Sequence, residues 1–258
     1  MDLDDPDFMK WSTQPSSQTS DRVLCIYGPS GCGKSVLASS IAEEFQVKQF
    51  PTLFYSFSGM DTDRQSIDGL VRTFLWQLIQ DSSDENRLDI VLNPMQSGPP
   101  GSGKLWDAFK ELVALVPGHI YCIIDGIDEC SDPNSILLDR ICELPTCKST
   151  RVILFGRPRG PQNTLVSTAM VIEINPEIIR HDIEKFIDIK IQDFTIPSLP
   201  DNLGGTVSRT LKANPNRPFL WAKLMINDLS RSATPLHVKE TLQTLPLGLK
   251  EAYRHLLV

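Results

Sequence analysis

The sequence predicts an α/β protein, in which a parallel sheet covered by helices is followed by a small all-helical subdomain. Short apolar runs alternate with segments of helical periodicity over the first two thirds of the 258-residue chain. The last third shows helical periodicity only, interrupted by prolines. Because parallel strands need long crossover connections, usually helices, the alternation predicts a parallel sheet with both faces covered.

The predicted strands are the short apolar runs Val23–Tyr27, Thr52–Phe57, Ile120–Ile124, Val152–Phe155 and Met170–Ile174. The helices predicted among them, from the spacing of apolar residues, are Lys34–Phe45, Ile67–Gln80, Leu105–Val116 and Ser135–Cys142. Four amphipathic helices are predicted after residue 175, at Asp182–Asp193, Asn202–Ala213, Phe219–Leu229 and Leu236–Leu245. Helix-like residues at 249–258 have no cap, so we expect the chain to be truncated before a further region. The expected domains are a polar leader at 1–20, a sheet-containing core at 21–175 and a helical subdomain at 176–258.

A glycine-rich loop joins the first strand to the first helix. It consists of Gly28, Pro29, Ser30, Gly31, Cys32, Gly33, Lys34 and Ser35, with Val36 following. This is the G-x-x-x-x-G-K-S pattern of a phosphate-binding loop, or Walker A motif, in the strand–loop–helix context that the motif requires. All nine residues are predicted to bind a nucleotide at the positive end of the helix dipole. Lys34 is expected to contact the β- and γ-phosphates, and the hydroxyl of Ser35 to ligate Mg²⁺.

A second string at 98–104 repeats the glycine and lysine spacing, but Leu105 stands where the motif has Ser or Thr. Prolines and polar residues precede it, so no buried strand is predicted to lead into this loop. We interpret it as a flexible Gly/Pro linker and expect no phosphate contact from Lys104.

Acidic residues follow the third strand in the order Asp125-Gly126-Ile127-Asp128-Glu129. An apolar strand that ends in an acid beside a phosphate-binding loop is the Walker B arrangement, and Asp125 is predicted to hold Mg²⁺ directly or through water. Asp128 or Glu129 is predicted to orient or deprotonate an attacking water. Gly126 permits the tight turn between these acids.

Two arginines, Arg157 and Arg159, follow the fourth strand. An arginine at the carboxyl end of such a strand can reach a γ-phosphate and form charge-assisted hydrogen bonds with it. Arg157 is the candidate catalytic arginine, with Arg159 behind it. A solvated surface arginine is the alternative interpretation.

Composition excludes several function classes. The formal net charge is −7 and no basic run occurs, so no nucleic-acid groove is expected. The six cysteines form no C-x-x-C pair and the four histidines are scattered, so neither a zinc site nor a disulfide framework is expected. The sequence shows no signal peptide or membrane-length apolar run, and we expect a cytoplasmic protein.

Together these motifs resemble the NACHT branch of the STAND NTPases, and in particular the nephrocystin-3-like NACHT domains in NOD-like receptors of filamentous fungi. The resemblance extends over nearly the whole chain. Besides the loop at 26–38, the matching segments are Phe54–Phe57, Leu70–Leu78, Ile123–Cys130, Phe155–Pro158, His181–Ile183 and Phe219–Leu224.

The resemblance implies a P-loop NTPase core of AAA-like strand order, in which the strand before Arg157 separates the P-loop strand from the Walker B strand. It also implies an ADP-bound resting state and an ATP-bound, homo-oligomeric active state. N-terminal effector domains and C-terminal repeats are expected in a full-length relative. Pro218, in the segment Asn216-Arg217-Pro218, occupies the place of the family's G-x-P proline, which contacts the base.

Three functions stay open at the level of sequence. The first is a signalling switch that binds ATP or GTP with Mg²⁺ and hydrolyses it slowly, in the manner of a nucleoside-triphosphate phosphohydrolase. The second is a degenerate scaffold that binds nucleotide without turnover. The third, a P-loop kinase for a small molecule, is less favoured because Arg157 and Arg159 form the only dense arginine cluster near a strand end. No N/T-K-x-D motif supports a Ras-type GTPase.

Overall fold

The computed structural model of the protein describes residues 8, 11–12, 19–80, 85–92, 102–147, 150–158, 169–192, 201–213, 217–231 and 234–256. The chain forms two compact units. We call the first the sheet unit, which contains Asp2–Gly28 and Lys34–Glu173. The second, here the helical unit, contains Ile174–Val258 and also Pro29–Gly33 from the phosphate-binding loop.

All strands of the sheet run parallel, which confirms the predicted α/β class. They are β1 (Val23–Tyr27), β2 (Thr52–Ser56), β3 (Ile120–Asp125), β4 (Thr150–Gly156) and β5 (Met170–Glu173). Their spatial order is β2-β3-β4-β1-β5. As the resemblance implied, β4 lies between the strand that leads into the glycine-rich loop and the strand that ends at Asp125. The three inner strands are buried along their full length, as parallel strands covered on both faces should be.

The α-helices of the sheet unit are α1 (Lys34–Val47), α2 (Ile67–Gln80), α3 (Glu85–Leu92), α4 (Ser102–Leu115) and α5 (Asn134–Glu143). α3 was not predicted, because its eight residues carry too few apolar positions for a clear helical period. α2 and α4 each bury an apolar face, and the rings of Phe74 and Phe109 lie 5.8 Å apart between them.

The interpretation of the second glycine string as a linker is partly wrong. α4 begins at Ser102, so Gly103 and Lys104 lie in its first turn and are exposed. Leu105, Phe109 and Leu112 form a buried apolar face, and its burial stabilises the helix from its first turn. The earlier residues of the string, 98–101, lie outside the described residues.

Two aromatic residues of the N-terminal segment pack into the sheet unit. Phe8 and Trp11 are both buried. Trp11 contacts Tyr121 at the start of β3, with ring centroids 5.9 Å apart. Arg151, at the start of β4, lies over the Trp11 ring and donates a hydrogen bond to the Trp11 carbonyl. Trp11 therefore packs against the amino ends of β3 and β4.

The helical unit contains α6 (Pro176–Gln192), α7 (Asp201–Lys212), α8 (Phe219–Ser230), α9 (Pro235–Gln243) and α10 (Leu249–Leu256). α8 is its centre, with Trp221, Met225 and Leu229 fully buried. The indole N–H of Trp221 donates to the carbonyl of Pro246 at 3.0 Å, which satisfies a polar atom that would otherwise be costly to bury.

Candidate active site

The carboxyl ends of the parallel strands place the predicted site residues of the sheet unit along one edge of the sheet. Ser56 at the end of β2 is in register with Asp125 at the end of β3. Tyr27 at the end of β1 is in register with Gly156, directly before Arg157. Because ligands of open α/β sheets bind outside the carboxyl ends of the strands, this edge is the candidate active site.

The ends of the phosphate-binding loop are fixed to the sheet unit. The Gly28 N–H donates to the Gly156 carbonyl at 3.3 Å, so the loop leaves β1 while still tied to β4. The Lys34 ammonium donates to the Gly28 carbonyl at 2.8 Å. Lys34 thus connects the helical end of the loop to its first residue.

The middle of the loop, Pro29–Gly33, belongs to the helical unit. There the Gly31 carbonyl accepts the N–H of Leu220 at 3.2 Å. Gly31 has a φ of +77°, and a Cβ at this position would lie 2.7 Å from the Leu220 Cβ. Only glycine satisfies both conditions. Cys32 is buried, whereas Pro29, Ser30 and Val36 are exposed.

Asp125 is a buried carboxylate with two hydroxyl donors. It is 4 % exposed, and Oδ2 accepts a hydrogen bond from the Ser56 hydroxyl at 3.2 Å. Burial raises the pKa of Asp125 above its usual range, while hydrogen bonds from Ser35 and Ser56 and the charge of Lys34 oppose this rise. The structure therefore brings Lys34, Ser35 and Asp125 together. Ser56 completes the group and was not among the predicted site residues.

The other predicted residues form a second cluster around Arg157. Its backbone N–H donates to Asp128 Oδ1 at 3.0 Å, and its Nε lies 3.1 Å from Asp128 Oδ2. A guanidinium nitrogen of Arg157 lies 3.8 Å from Glu129 Oε1. Gly126, with φ of +69°, makes the left-handed turn that starts the short helix Ile127–Glu129 and presents both acids. Arg157 is therefore ion-paired with the candidate catalytic acids, although its side chain is 55 % exposed.

The loop after β2 also contacts this cluster, although no sequence motif predicted it. The Gly59 N–H donates to Glu129 Oε2 at 2.9 Å, and the Gln65 side-chain amide donates to the Gly59 carbonyl at 2.7 Å. A backbone donor has no sequence signature. The only available signal was position, because a loop that follows a parallel strand starts at the same edge of the sheet as Asp125.

Two predicted residues stand apart from these clusters. Pro218 directly precedes α8 in the helical unit, and its contact with a base stays a prediction. Arg159 lies outside the described residues.

The environment of Asp125 gives a prediction about stability. Without Mg²⁺ and nucleotide, Asp125→Asn is expected to raise the free energy of unfolding at neutral pH, because it removes a buried charge. A folded pKa above the unfolded one penalises the fold at pH values above both, and the penalty disappears as the pH falls below the unfolded pKa. The gain should thus be present near pH 7 and absent near pH 3, about one unit below the usual pKa of Asp.

Urea denaturation of both proteins at the two pH values measures this difference. A variant less stable than wild type at neutral pH would contradict the prediction. It would show that Ser35, Ser56 and Lys34 outweigh the cost of burying the carboxylate.

Comparisons with known proteins find one matching family model and several similar solved structures. The family model described as Nephrocystin 3, N-terminal, matches residues 2–157. A DNA replication initiation factor is similar in structure at 15% identity and a TM-score of 0.47, covering 86% of this chain and 57% of that chain. AMPPCP-bound DnaA from Aquifex aeolicus is similar at 13% identity and a TM-score of 0.45, and the match covers 86% of this chain and 59% of that chain. PCH-2 from C. elegans is similar at 12% identity and a TM-score of 0.47, and the match covers 87% of this chain and 60% of that chain.

This chain therefore spans little more than half the length of those structures. No curated protein matches it significantly. Within the residues that the structure describes, no helix has both the length and the apolar character needed to span a membrane.

Proposed function

Because this chain belongs to the nephrocystin 3 N-terminal family, we propose that it is a nucleotide-dependent switch that hydrolyses a nucleoside triphosphate slowly. Its fold is that of a P-loop NTPase-like module. The observation that carries the proposal is the convergence of Lys34, Ser35 and Asp125, with Arg157 paired to Asp128 and Glu129 on the neighbouring strand ends.

These residues fit a Mg²⁺–nucleotide complex. Mg²⁺ prefers oxygen ligands and is usually held by one or two protein groups together with substrate phosphates. The Ser35 hydroxyl and the Asp125 carboxylate provide such oxygens, and they already share a hydrogen bond. When bound, Mg²⁺ would neutralise charge on the phosphates. Lys34 would contribute a second positive charge once its ammonium leaves the Gly28 carbonyl.

The acids supply the remaining chemistry of hydrolysis. Water attacks the γ-phosphorus, the bond from that phosphorus to the bridging oxygen breaks, and a carboxylate accepts the proton of the water. We assign the proton to Glu129, since both carboxylate oxygens of Asp128 are engaged by Arg157. Glu129 meets the guanidinium only at 3.8 Å. Arg157 would stabilise developing phosphate charge after leaving these acids.

The resemblance to NACHT domains supports the finer part of the proposal. We propose that ADP holds a resting state and that ATP favours a homo-oligomer, in signalling of the NOD-like-receptor type. Pro218 would contact the base. The phosphate-binding residues do not select between ATP and GTP, because phosphate contacts carry no information about the base.

A scaffold that binds nucleotide without turnover is the second candidate. Two observations favour it. Gly156, the residue before Arg157, has no hydroxyl that could contact a γ-phosphate. The guanidinium of Arg157 is itself engaged by Asp128 and Glu129. Nucleotide analysis of the denatured protein, followed by a Mg²⁺-dependent phosphate-release assay, separates the candidates. Bound ADP with slow turnover supports the switch, and bound nucleotide without turnover supports the scaffold. Protein that neither contains nor binds nucleotide contradicts both.

Lys34→Ala tests nucleotide binding directly. It is expected to weaken affinity for a Mg²⁺–nucleotide complex about 10- to 100-fold, because one charge-assisted hydrogen bond contributes about 1.5–3 kcal/mol. Isothermal titration calorimetry with a non-hydrolysable analogue gives the affinity. The matched control is Lys104→Ala, which removes an exposed lysine from the first turn of α4. Equal losses in both variants would contradict the assignment of the first loop.

A further inference from the structure

The loop between β2 and α2 is joined to the segment that follows β3 by hydrogen bonds along its length. We call residues 58–66 the β2–α2 loop. The Gly59 N–H donates to Glu129 Oε2 at 2.9 Å. The Ser131 N–H donates to the Gln65 carbonyl at 2.8 Å, and the Ile67 N–H at the start of α2 donates to Asp132 Oδ2 at 2.6 Å. The candidate base is thus one of several points at which the two segments meet.

The β2–α2 loop is also fixed internally. Its first residue, Ser58, donates its N–H to the Arg64 carbonyl at 3.0 Å, and the Asp61 carboxylate accepts from Arg64 Nε at 2.7 Å. α2 packs close to the loop, since a Cβ on Gly69 would lie 2.4 Å from the Asp63 carbonyl oxygen. A loop with this many contacts can hold a carboxylate in one orientation.

Gln65 is the side chain that connects this framework to Gly59. Its amide nitrogen donates to the Gly59 carbonyl at 2.7 Å, on the opposite side of the Gly59 Cα from the N–H that contacts Glu129. Gly59 has no side chain of its own to limit rotation of the two peptide groups. The Gln65 contact therefore supplies the restraint that glycine lacks.

The two oxygens of Glu129 are held differently. Oε2 accepts a hydrogen bond from the Gly59 N–H at 2.9 Å, whereas Oε1 lies 3.8 Å from Arg157, beyond hydrogen-bond distance. This division resembles the arrangement in which a third group orients a catalytic base. Oε2 is thus the oxygen that is anchored, which leaves Oε1 as the oxygen to accept a proton.

We propose that Gln65 is a positioning residue that holds the Gly59 peptide so that its N–H fixes Glu129 for proton transfer from water. The role rests on the proposed hydrolytic function. It assigns a task in that reaction to a loop that contains none of the motifs found in the sequence. Gln65 acts through Gly59 and Glu129 and does not itself touch the reacting atoms.

The first test uses turnover. Gln65→Ala is expected to lower kcat about tenfold or more with KM unchanged, since a misplacement of about 1 Å can cost about 100-fold. In a Glu129→Gln background the same change should lower kcat no further, because the two residues act as one unit. The control is Gln46→Ala, which removes an exposed glutamine of α1. An additive loss in the double variant, or unchanged kcat in Gln65→Ala, overturns the proposal.

The second test needs neither nucleotide nor turnover. The Gly59 amide proton resonance of the ligand-free protein should move upfield in Glu129→Gln, as a carboxylate acceptor is replaced by a weaker amide. It should move in the same direction in Gln65→Ala and stay unchanged in Gln46→Ala. If the chemical shift of the Gly59 amide proton is unchanged in Gln65→Ala, the positioning role is refuted. A wild-type protein without turnover, but with the expected shifts, refutes hydrolysis and leaves the structural link between Gln65 and Glu129 in place.

Discussion

Glu129→Gln is expected to slow phosphate release about 10²- to 10⁴-fold while leaving nucleotide affinity unchanged. A positioned general base contributes a factor of this size, and glutamine cannot accept a proton from water at neutral pH. Glutamine keeps the shape of the side chain and can still accept the Gly59 N–H, which lies 2.9 Å from the carboxylate. Binding should survive, because Glu129 is not among the residues proposed to bind the phosphates. Single-turnover kinetics and equilibrium titration measure the two quantities separately.

Glu111→Gln is the matched control, since it neutralises an exposed glutamate on α4. It should change neither quantity. Unchanged turnover in Glu129→Gln, combined with a large loss in Asp128→Asn, would transfer the role of the base to Asp128. Arg157 would then have to release Asp128 before each cycle, because it currently engages both carboxylate oxygens.

Trp11→Ala is expected to lower the free energy of unfolding by about 3–5 kcal/mol, the usual cost of truncating a buried tryptophan. Trp11 is only 1 % exposed. Its ring lies 5.8 Å from that of Phe8 and 5.9 Å from that of Tyr121, and the guanidinium of Arg151 lies over it. Truncation leaves a cavity beside the buried Arg151. Burial already lowers the pKa of this arginine. Urea denaturation of the whole chain gives the difference.

Trp76→Ala serves as its control, because this tryptophan on α2 is 60 % exposed. Substitution at such a surface position usually changes stability by no more than about 0.5 kcal/mol. Equal effects of the two substitutions would mean that the N-terminal segment detaches without disturbing the sheet unit.

Regular spacing made much of the sheet unit predictable. β1 and α2 have the predicted bounds, and β3 and β4 extend the predicted runs by one residue or a few. The continuous apolar runs of β3 and β4 predict buried strands, because each strand is covered on both faces of the sheet. Strand order came from the resemblance and not from periodicity, because the apolar pattern of β4 does not specify its neighbours.

Contacts made by the backbone or by single polar side chains in loops were not predictable. The donor to Glu129 is the N–H of Gly59, and every residue except proline has such a group. Gln65 reaches Gly59 only because the short helix Thr62–Arg64 turns the chain back. The burial of Asp125 likewise depends on the fold around it, so the rise in its pKa has no counterpart in the sequence.

β4 carries an arginine near each end, and both engage other parts of the sheet unit. Arg151 holds the N-terminal segment at Trp11, and Arg157 pairs with Asp128 and Glu129. Arg157 lies six positions after Arg151, which is about 20 Å at the rise of a parallel strand. Hydrogen bonds to β1 and β3 stiffen this strand on both sides. A change at Trp11 would therefore reach the candidate catalytic acids, Asp128 and Glu129, through this one strand.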